Sequence, residues 1–226
     1  MKTGYTHIIF LLDRSGSMAG KESDVKGGYD TFIKKQKEHP GAATLTLAWF
    51  DTRYDVIYEN KNILDVPELT GYEPRGGTAL LDAIANTINR VGASLAAMKE
   101  EDRPEKVIML INTDGLENAS RLHTPDNIKY MIKHQRDKYS WEFVFMGADQ
   151  DAVLAATKLG MMRGNALNYS NTSSGIRGMY AAASAGLNSY RSSHQKLCYD
   201  FFETPTAGAK EDEKVEIITA KDTTDA

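Results

Sequence analysis

The chain has 226 residues, 41% apolar and 26% charged, proportions of a globular domain that can bury a sizeable core. A formal net charge of −4 without a basic run argues against binding the phosphate backbone of a nucleic acid. The single cysteine, Cys198, excludes an internal disulfide framework. No apolar run is long enough to span a membrane or, at the N-terminus, to act as a signal peptide, so the expected compartment is the cytosol.

Taken in order, the elements alternate. Ile8 to Leu12 predicts a strand buried on both faces. Val25, Tyr29, Phe32 and Ile33 recur at helical spacing, and His39-Pro40-Gly41 ends that helix. Leu45, Leu47 and Trp49 alternate as a strand, which turns through 51–54 into a return strand at Val56 to Tyr58 on the sheet edge. Leu81, Ile84, Ile88, Val91 and Leu95 form a long amphipathic stripe, and Val107 to Ile111 is the next buried strand. Thr124-Pro125-Asp126 is an N-cap with proline at the first helical position, opening a helix to about Arg136. Trp141 to Met146 is a strand. A helix through Val153 and Leu154 stops near Leu159-Gly160, Ala166 to Tyr169 is a short last strand, and Ile176 to Tyr190 is a final helix. Cys198 reads as a small buried hydrophobe late in a helix.

Strands separated by helices predict an α/β fold: a three-layer, doubly wound, mostly parallel, Rossmann-like sheet with one antiparallel edge strand and right-handed crossovers. Ligands of such sheets bind beyond the carboxyl ends of the strands. The expected domain covers 1–205. The polar segment 206–226 is expected to be a loose tail, in which Val215 to Thr219 could add a strand or dock on a partner. No internal repeat is visible.

Three stretches carry chemistry at that edge. The run IIFLLDRSGSM brings Asp13, Ser15 and Ser17 together as D-x-S-x-S at the end of a strand. One carboxylate and two hydroxyls on one loop make half of an octahedral oxygen cage, suited to a hard cation such as Mg²⁺ or Mn²⁺. RGGTALLDAI supplies Thr78 after a double glycine, opening a helix, and LINTDGLEN supplies Asp114 after another apolar strand. Alone, Asp13, Ser15 and Ser17 would be read as caps of the first helix; the three stretches together point to metal.

In that order the stretches resemble the metal-ion-dependent adhesion site of von Willebrand factor A domains, found in integrin I domains and many bacterial proteins; the chain resembles a single-domain member of bacterial or phage type. The resemblance covers roughly 6–190, with specific motifs only in the first 120 residues. It implies that Ser15, Ser17 and Thr78 offer hydroxyl oxygens, while Asp13 and Asp114 bind directly or through water. It also implies an open coordination position for water or for a carboxylate of a partner. Gly76-Gly77 would give the Thr78 loop freedom to shift.

Other residues at this edge have two readings each. Glu117 reads first as an exposed loop acid, second as a holder of metal-bound water. Asp82 would orient the Thr78 loop, or be a surface acid favoured by the dipole in the helix's first turn. Arg53, Tyr54 and Arg75 read first as solvated turn residues, second as a rim to the site that meets an acidic partner. In Gly147-Ala148-Asp149-Gln150-Asp151, an aspartate caps the helix starting near Ala152 rather than touching a ligand, and Asn171-Thr172-Ser173-Ser174 is a loop and helix cap.

The expected function is a metal-dependent protein-interaction module that grips an Asp or Glu of a partner protein through Mg²⁺ (or Mn²⁺), without enzymatic activity, nucleic acid or membrane. The alternatives are a metal-dependent phosphohydrolase-like enzyme and a structural or assembly protein with a purely stabilising metal. Against the enzyme, Ser15 stands where a second acid would follow a nucleophilic Asp13, and the chain has no G-x-x-x-x-G-K-[ST] phosphate loop.

Overall fold

The structure, a computed structural model, describes residues 1–148 and 151–202. Six strands form one sheet: β1 (Lys2–Asp13), β2 (Ala43–Phe50), β3 (Tyr54–Asn62), β4 (Pro104–Thr113), β5 (Trp141–Ala148) and β6 (Ala166–Tyr169). Their order is β3-β2-β1-β4-β5-β6, with only β3 antiparallel to its neighbour. The helices are α1 (Glu22–Glu38), α2 (Leu80–Ala97), α3 (Pro125–Tyr139), α4 (Ala152–Lys158) and α5 (Ser173–Ser192).

Covering helices explain why the central strands read as continuous apolar runs. Ile8, Phe10 and Leu12 of β1 face α1 and α5, while Ile9 and Leu11 face the layer of α2, α3 and α4. The three-layer expectation holds. α1 and α5 lie so close that a Cβ on Gly28 would sit 2.2 Å from the Tyr180 ring. At α3 the expected cap is a full capping box: the Thr124 side chain accepts the Asn127 N–H and the Asn127 side chain accepts the Thr124 N–H, with Pro125 in the first turn.

β1 starts at Lys2 rather than near Ile8. Its polar beginning pairs with β4 at Lys2 and Pro104, then shifts register before Thr6, a stretch that contains Gly4 in a left-handed conformation (φ 71°). Just beyond it, the buried His7 ring lies between the hydroxyls of Thr44 and Thr46 (2.8 and 3.1 Å). Burial lowers its pKa to about 4, outweighing the Glu59 charge, so the ring is neutral and structural.

Cys198 departs from expectation. α5 ends at Ser192, so Cys198 lies beyond the helix in a segment that crosses the amino-terminal edge of the sheet, and it is half-buried. That segment hangs on the buried Glu142 of β5, whose carboxylate accepts the Cys198 N–H at 2.6 Å and the Asn165 amide at 2.9 Å. Asn165 in turn accepts the Phe201 N–H at 3.1 Å. Phe201 packs so tightly on α5 that a Cβ on Gly186 would lie 2.5 Å from its ring. Burial drives the Glu142 carboxyl up to about 7, against the pull of these donors. The expected tail at 206–226, and the strand suggested for Val215 to Thr219, lie outside the described residues.

Candidate metal centre

β1 and β4 are neighbours at the middle of the sheet, so the loops that follow Asp13 and Thr113 leave the same edge side by side. Asp13 is fully buried there. One carboxylate oxygen accepts the Ser15 N–H at 2.6 Å and the other the Thr113 hydroxyl at 2.5 Å, while its carbonyl accepts the Tyr72 hydroxyl. Burial pushes the Asp13 carboxyl up to about 6, helped by the Asp114 charge and opposed by the Thr113 and Ser15 donors.

The remaining expected ligands meet beside it. Ser15 and Ser17 hold their hydroxyl oxygens 3.0 Å apart, and Ser17 donates to Asp114 Oδ1 at 2.5 Å. Asn171, after β6, donates to Asp114 Oδ2 at 2.9 Å. Thr78 is buried, and Asn118 clamps its backbone: the Thr78 N–H donates to the Asn118 side chain at 2.8 Å, and the Asn118 N–H to the Thr78 carbonyl at 3.1 Å. Between them sits Gly115. A Cβ there would be 3.0 Å from Thr78 Oγ1 and 3.4 Å from Ser17 Oγ, so the side-chain position is kept clear among the hydroxyls.

This donor set fits a hard cation. An octahedral Mg²⁺ bonds oxygen at about 2.0–2.1 Å, which sets neighbouring ligand oxygens about 2.9 Å apart. The Ser15–Ser17 separation of 3.0 Å matches one such edge. Among the described residues no three His, Cys, Asp or Glu side chains form a metal cluster.

A carboxylate–guanidinium network braces the loops. Arg14, between the first two motif residues, is buried; its Nε and Nη2 reach Asp51 Oδ2 at 3.1 and 2.8 Å, and Nη2 reaches Asp55 at 2.5 Å. The guanidinium also lies over the Trp49 ring, 5.2 Å from its centroid. Arg75 joins the same acids, at 3.0 Å to Asp51 and 3.3 Å to Asp55. Backbone bonds complete the brace: Arg75 N–H to the Arg14 carbonyl, Gly16 N–H to the Gly76 carbonyl and Ala79 N–H to the Asp51 carbonyl. Burial works against the Asp51 charge, but the Arg53 N–H and the two arginines hold its carboxyl below the usual value. Gly76 supplies the turn between them with φ 67°.

Glu117 is not an exposed acid. It is half-buried, and it accepts from the N–H groups of Leu81, Ala119 and Ser120 and from the Ser120 hydroxyl at 2.7–2.9 Å. Its partners are therefore the start of α2 and its own loop. Asp82 is likewise half-buried and accepts the N–H groups of Arg121, Leu122 and His123 as well as the His123 ring. Burial opposes its charge, but these donors hold its carboxyl below the ordinary value. Of the expected rim, Arg53 is exposed, Arg75 is engaged by the two acids, and the Tyr54 hydroxyl accepts from Thr87 on α2. Asp151 caps α4 as expected, accepting the Leu154 N–H at 2.8 Å, while 149–150 lie outside the described residues. Thr172 caps α5 by accepting the Gly175 N–H. Sequence reasoning missed Thr113, Arg14, Asp51, Asp55 and the Asn171 contact; each lies within two residues of a strand end at this edge.

No family model and no curated protein matches the chain by sequence. Solved structures do match. Proximal thread matrix protein 1 from the mussel byssus, with a zinc-occupied MIDAS motif, gives a TM-score of 0.54 at 13% identity, over 80% of this chain and 47% of that one. The ArnB paralog VWA2 from Sulfolobus acidocaldarius gives 0.53 at 17% identity, over 79% and 44%. The vWF domain of the type V pili tip protein Mfa5 from Porphyromonas gingivalis gives 0.56 at 10% identity, over 84% and 97%. The chain thus spans less than half the length of the first two. It has the von Willebrand factor A fold.

Proposed function

We propose that this chain is a metal-dependent protein-interaction module. Ser15, Ser17 and Thr78 would hold Mg²⁺ (or Mn²⁺) through their hydroxyls, with Asp13 and Asp114 binding directly or through water. The bound cation supplies a Lewis-acidic point that a carboxylate can complete. Few acids in the inner shell leave its charge largely uncancelled, so an Asp or Glu presented by a partner protein gains by joining it. The observation that carries this reading is the Thr78 and Ser17 hydroxyls flanking the empty side-chain position of Gly115, with Ser17 in turn against the Ser15 hydroxyl and the Asp114 carboxylate.

The role of this chain's residues is to orient and to bind, and no catalytic group is assigned. Thr113 and the Ser15 N–H fix the Asp13 carboxylate, Asn118 fixes Thr78, and Asn171 fixes Asp114. The fold is shared with a pilus tip protein and a byssus matrix protein, which accords with interaction rather than turnover. Among the described residues no helix is long and apolar enough to cross a membrane, and the cytosolic setting in this reading rests on the lone Cys198.

The test has two parts. Mg²⁺ should raise the melting temperature of the wild type, EDTA should reverse the rise, and Asp114→Ala should show neither effect. A partner should then be retained from native lysate by the wild type in Mg²⁺, and lost in EDTA or with Asp114→Ala. An identical captured set in all three arms would sink the reading.

A further inference from the structure

The loop after Asp114, residues 115–123, is pinned by its own polar side chains while it exposes two leucines. Three of its polar side chains bond back to the protein: Glu117 takes four donors, Asn118 clamps Thr78, and the Ser120 hydroxyl accepts the Asp82 N–H at 3.1 Å. Asp82 of α2 gathers the three consecutive N–H groups of Arg121, Leu122 and His123. The apolar side chains turn outward instead. Leu116 is 70% exposed and Leu122 is 75% exposed.

A single exposed leucine needs no explanation. Two of them on a loop whose backbone is pinned from inside are a different matter. Folding has already met the entropic cost of ordering that loop, so apolar surface it presents can be covered by a partner at little further cost. Both leucines border the candidate metal centre: Leu116 directly follows Gly115, which abuts the Thr78 and Ser17 hydroxyls, and the Leu122 N–H is held by Asp82, four residues past Thr78. Its charge also fits an anionic partner: Glu117 and Asp82 are spent inward, while Arg121 is exposed.

We infer that Leu116 and Leu122 select the partner. The metal-binding Asp or Glu is carried on a segment with an aliphatic or aromatic residue close to it in sequence, and that residue packs on the two leucines. This inference rests on the metal-interaction reading above.

The experiment is panning of a displayed library of random nonapeptides with a fixed central Glu, bound in Mg²⁺ and eluted with EDTA. A parallel library carries Ala at the centre. The baits are the wild type, a Leu116→Ser/Leu122→Ser double variant and Asp114→Ala. The wild type should enrich Leu, Ile, Met or Phe beside the Glu. The double variant should still bind central-Glu peptides in Mg²⁺, and bind Mg²⁺ alone as the wild type does, yet lose the flanking preference and bind wild-type-selected peptides at least about tenfold more weakly. Central-Glu peptides enriched without apolar neighbours, or the same neighbours enriched by the double variant, would overturn the inference and leave the metal reading standing. Equal retention of Glu and Ala libraries, in Mg²⁺ and EDTA alike, would overturn both. A double variant that changed self-association of the chain but not peptide choice would assign the patch to contacts between copies, against the inference.

Discussion

Arg14 and Asp51 stand one residue beyond the ends of β1 and β2, and both Nε and Nη2 of the arginine converge on the same aspartate oxygen. The last rung of the parallel pair, Asp13 beside Phe50, places them side by side. The same oxygen holds Arg75, so one buried acid ties the D-x-S-x-S loop to the loop carrying Thr78.

Removing that acid should uncouple the loops. Asp51→Ala leaves the Arg14 guanidinium, 5% exposed, with only the half-exposed Asp55 for compensation. Breaking a buried pair from one side typically costs about 3–5 kcal/mol. Urea unfolding should show a loss of that order, and Mg²⁺ titration a weaker site although no proposed ligand has changed. A loss below about 1 kcal/mol would mean that the arginines are held by their other contacts.

Gly115→Ala should separate stability from metal binding. The added methyl meets two hydroxyl oxygens and no backbone atom within 3.4 Å, so folding should change by no more than about 1 kcal/mol. Mg²⁺ affinity should fall by about tenfold or more, because the methyl occupies the space among the donors. Calorimetric titration of both proteins checks this, and equal affinities would move the cation elsewhere.

Glu117→Ala should loosen the loop without touching a proposed ligand. Four hydrogen bonds to one carboxylate disappear, a loss of roughly 2–4 kcal/mol concentrated in one segment. Amide exchange at Leu81, Ala119 and Ser120 should accelerate strongly, while amides at the centre of β1 and β4 change little. Uniform acceleration across the sheet would show that the loop and the core open together.

Glu142 makes stability depend on pH in a defined window. Its carboxyl titrates near 4.5 in an unfolded chain and near 7 in the folded one. The folded state therefore holds the proton more tightly, and the stability this gives is fully present below about 4.5 and lost as pH rises through 7. Relative to wild type, Glu142→Gln should gain stability between those limits, by about 3 kcal/mol at most. Melting curves of both proteins from pH 4.5 to 8 read the difference directly. A constant gap would assign the pH dependence to other groups, among them His7, which acts in the opposite sense as pH falls through 6.5 toward 4.

The layered fold was legible because its physics is local and repetitive. Strands covered on both faces must be apolar throughout, as Ile8 to Leu12 and Val107 to Ile111 are, and helices covered on one face show a stripe, as Leu81 to Leu95 does. The polar start of β1 was hidden because its pairing to Pro104 is made by backbone, which leaves no mark on side-chain pattern. Cys198 was misplaced because neither glycine nor proline marks the end of α5 at Ser192, beyond which the chain has left the helix to reach Glu142. At the site, the five expected ligand residues come together, but the brace around them depends on register between strands. Arg14 meets Asp51 only because β1 and β2 end level, and Asn171 reaches Asp114 only across two strand positions of the sheet. Turned inward or outward, Glu117 and Leu116 look alike in a polar loop; tertiary contacts alone distinguish them.

The anchoring of Phe201 and Phe202 against Asn165 and Gly164 has a consequence for how the molecule is mounted. Those contacts, like the bond from the Lys2 N–H to the Arg103 carbonyl, lie at the amino-terminal edge of the strands, across the full height of the sheet from Asp13 and Asp114. Whatever is joined at Lys2, whether a scaffold or the surface of a sensor chip, grips the base and leaves the end that carries Asp13 and Asp114 pointing away from it. Immobilised by that point, the protein should present Asp13 and Asp114 on the side away from the support.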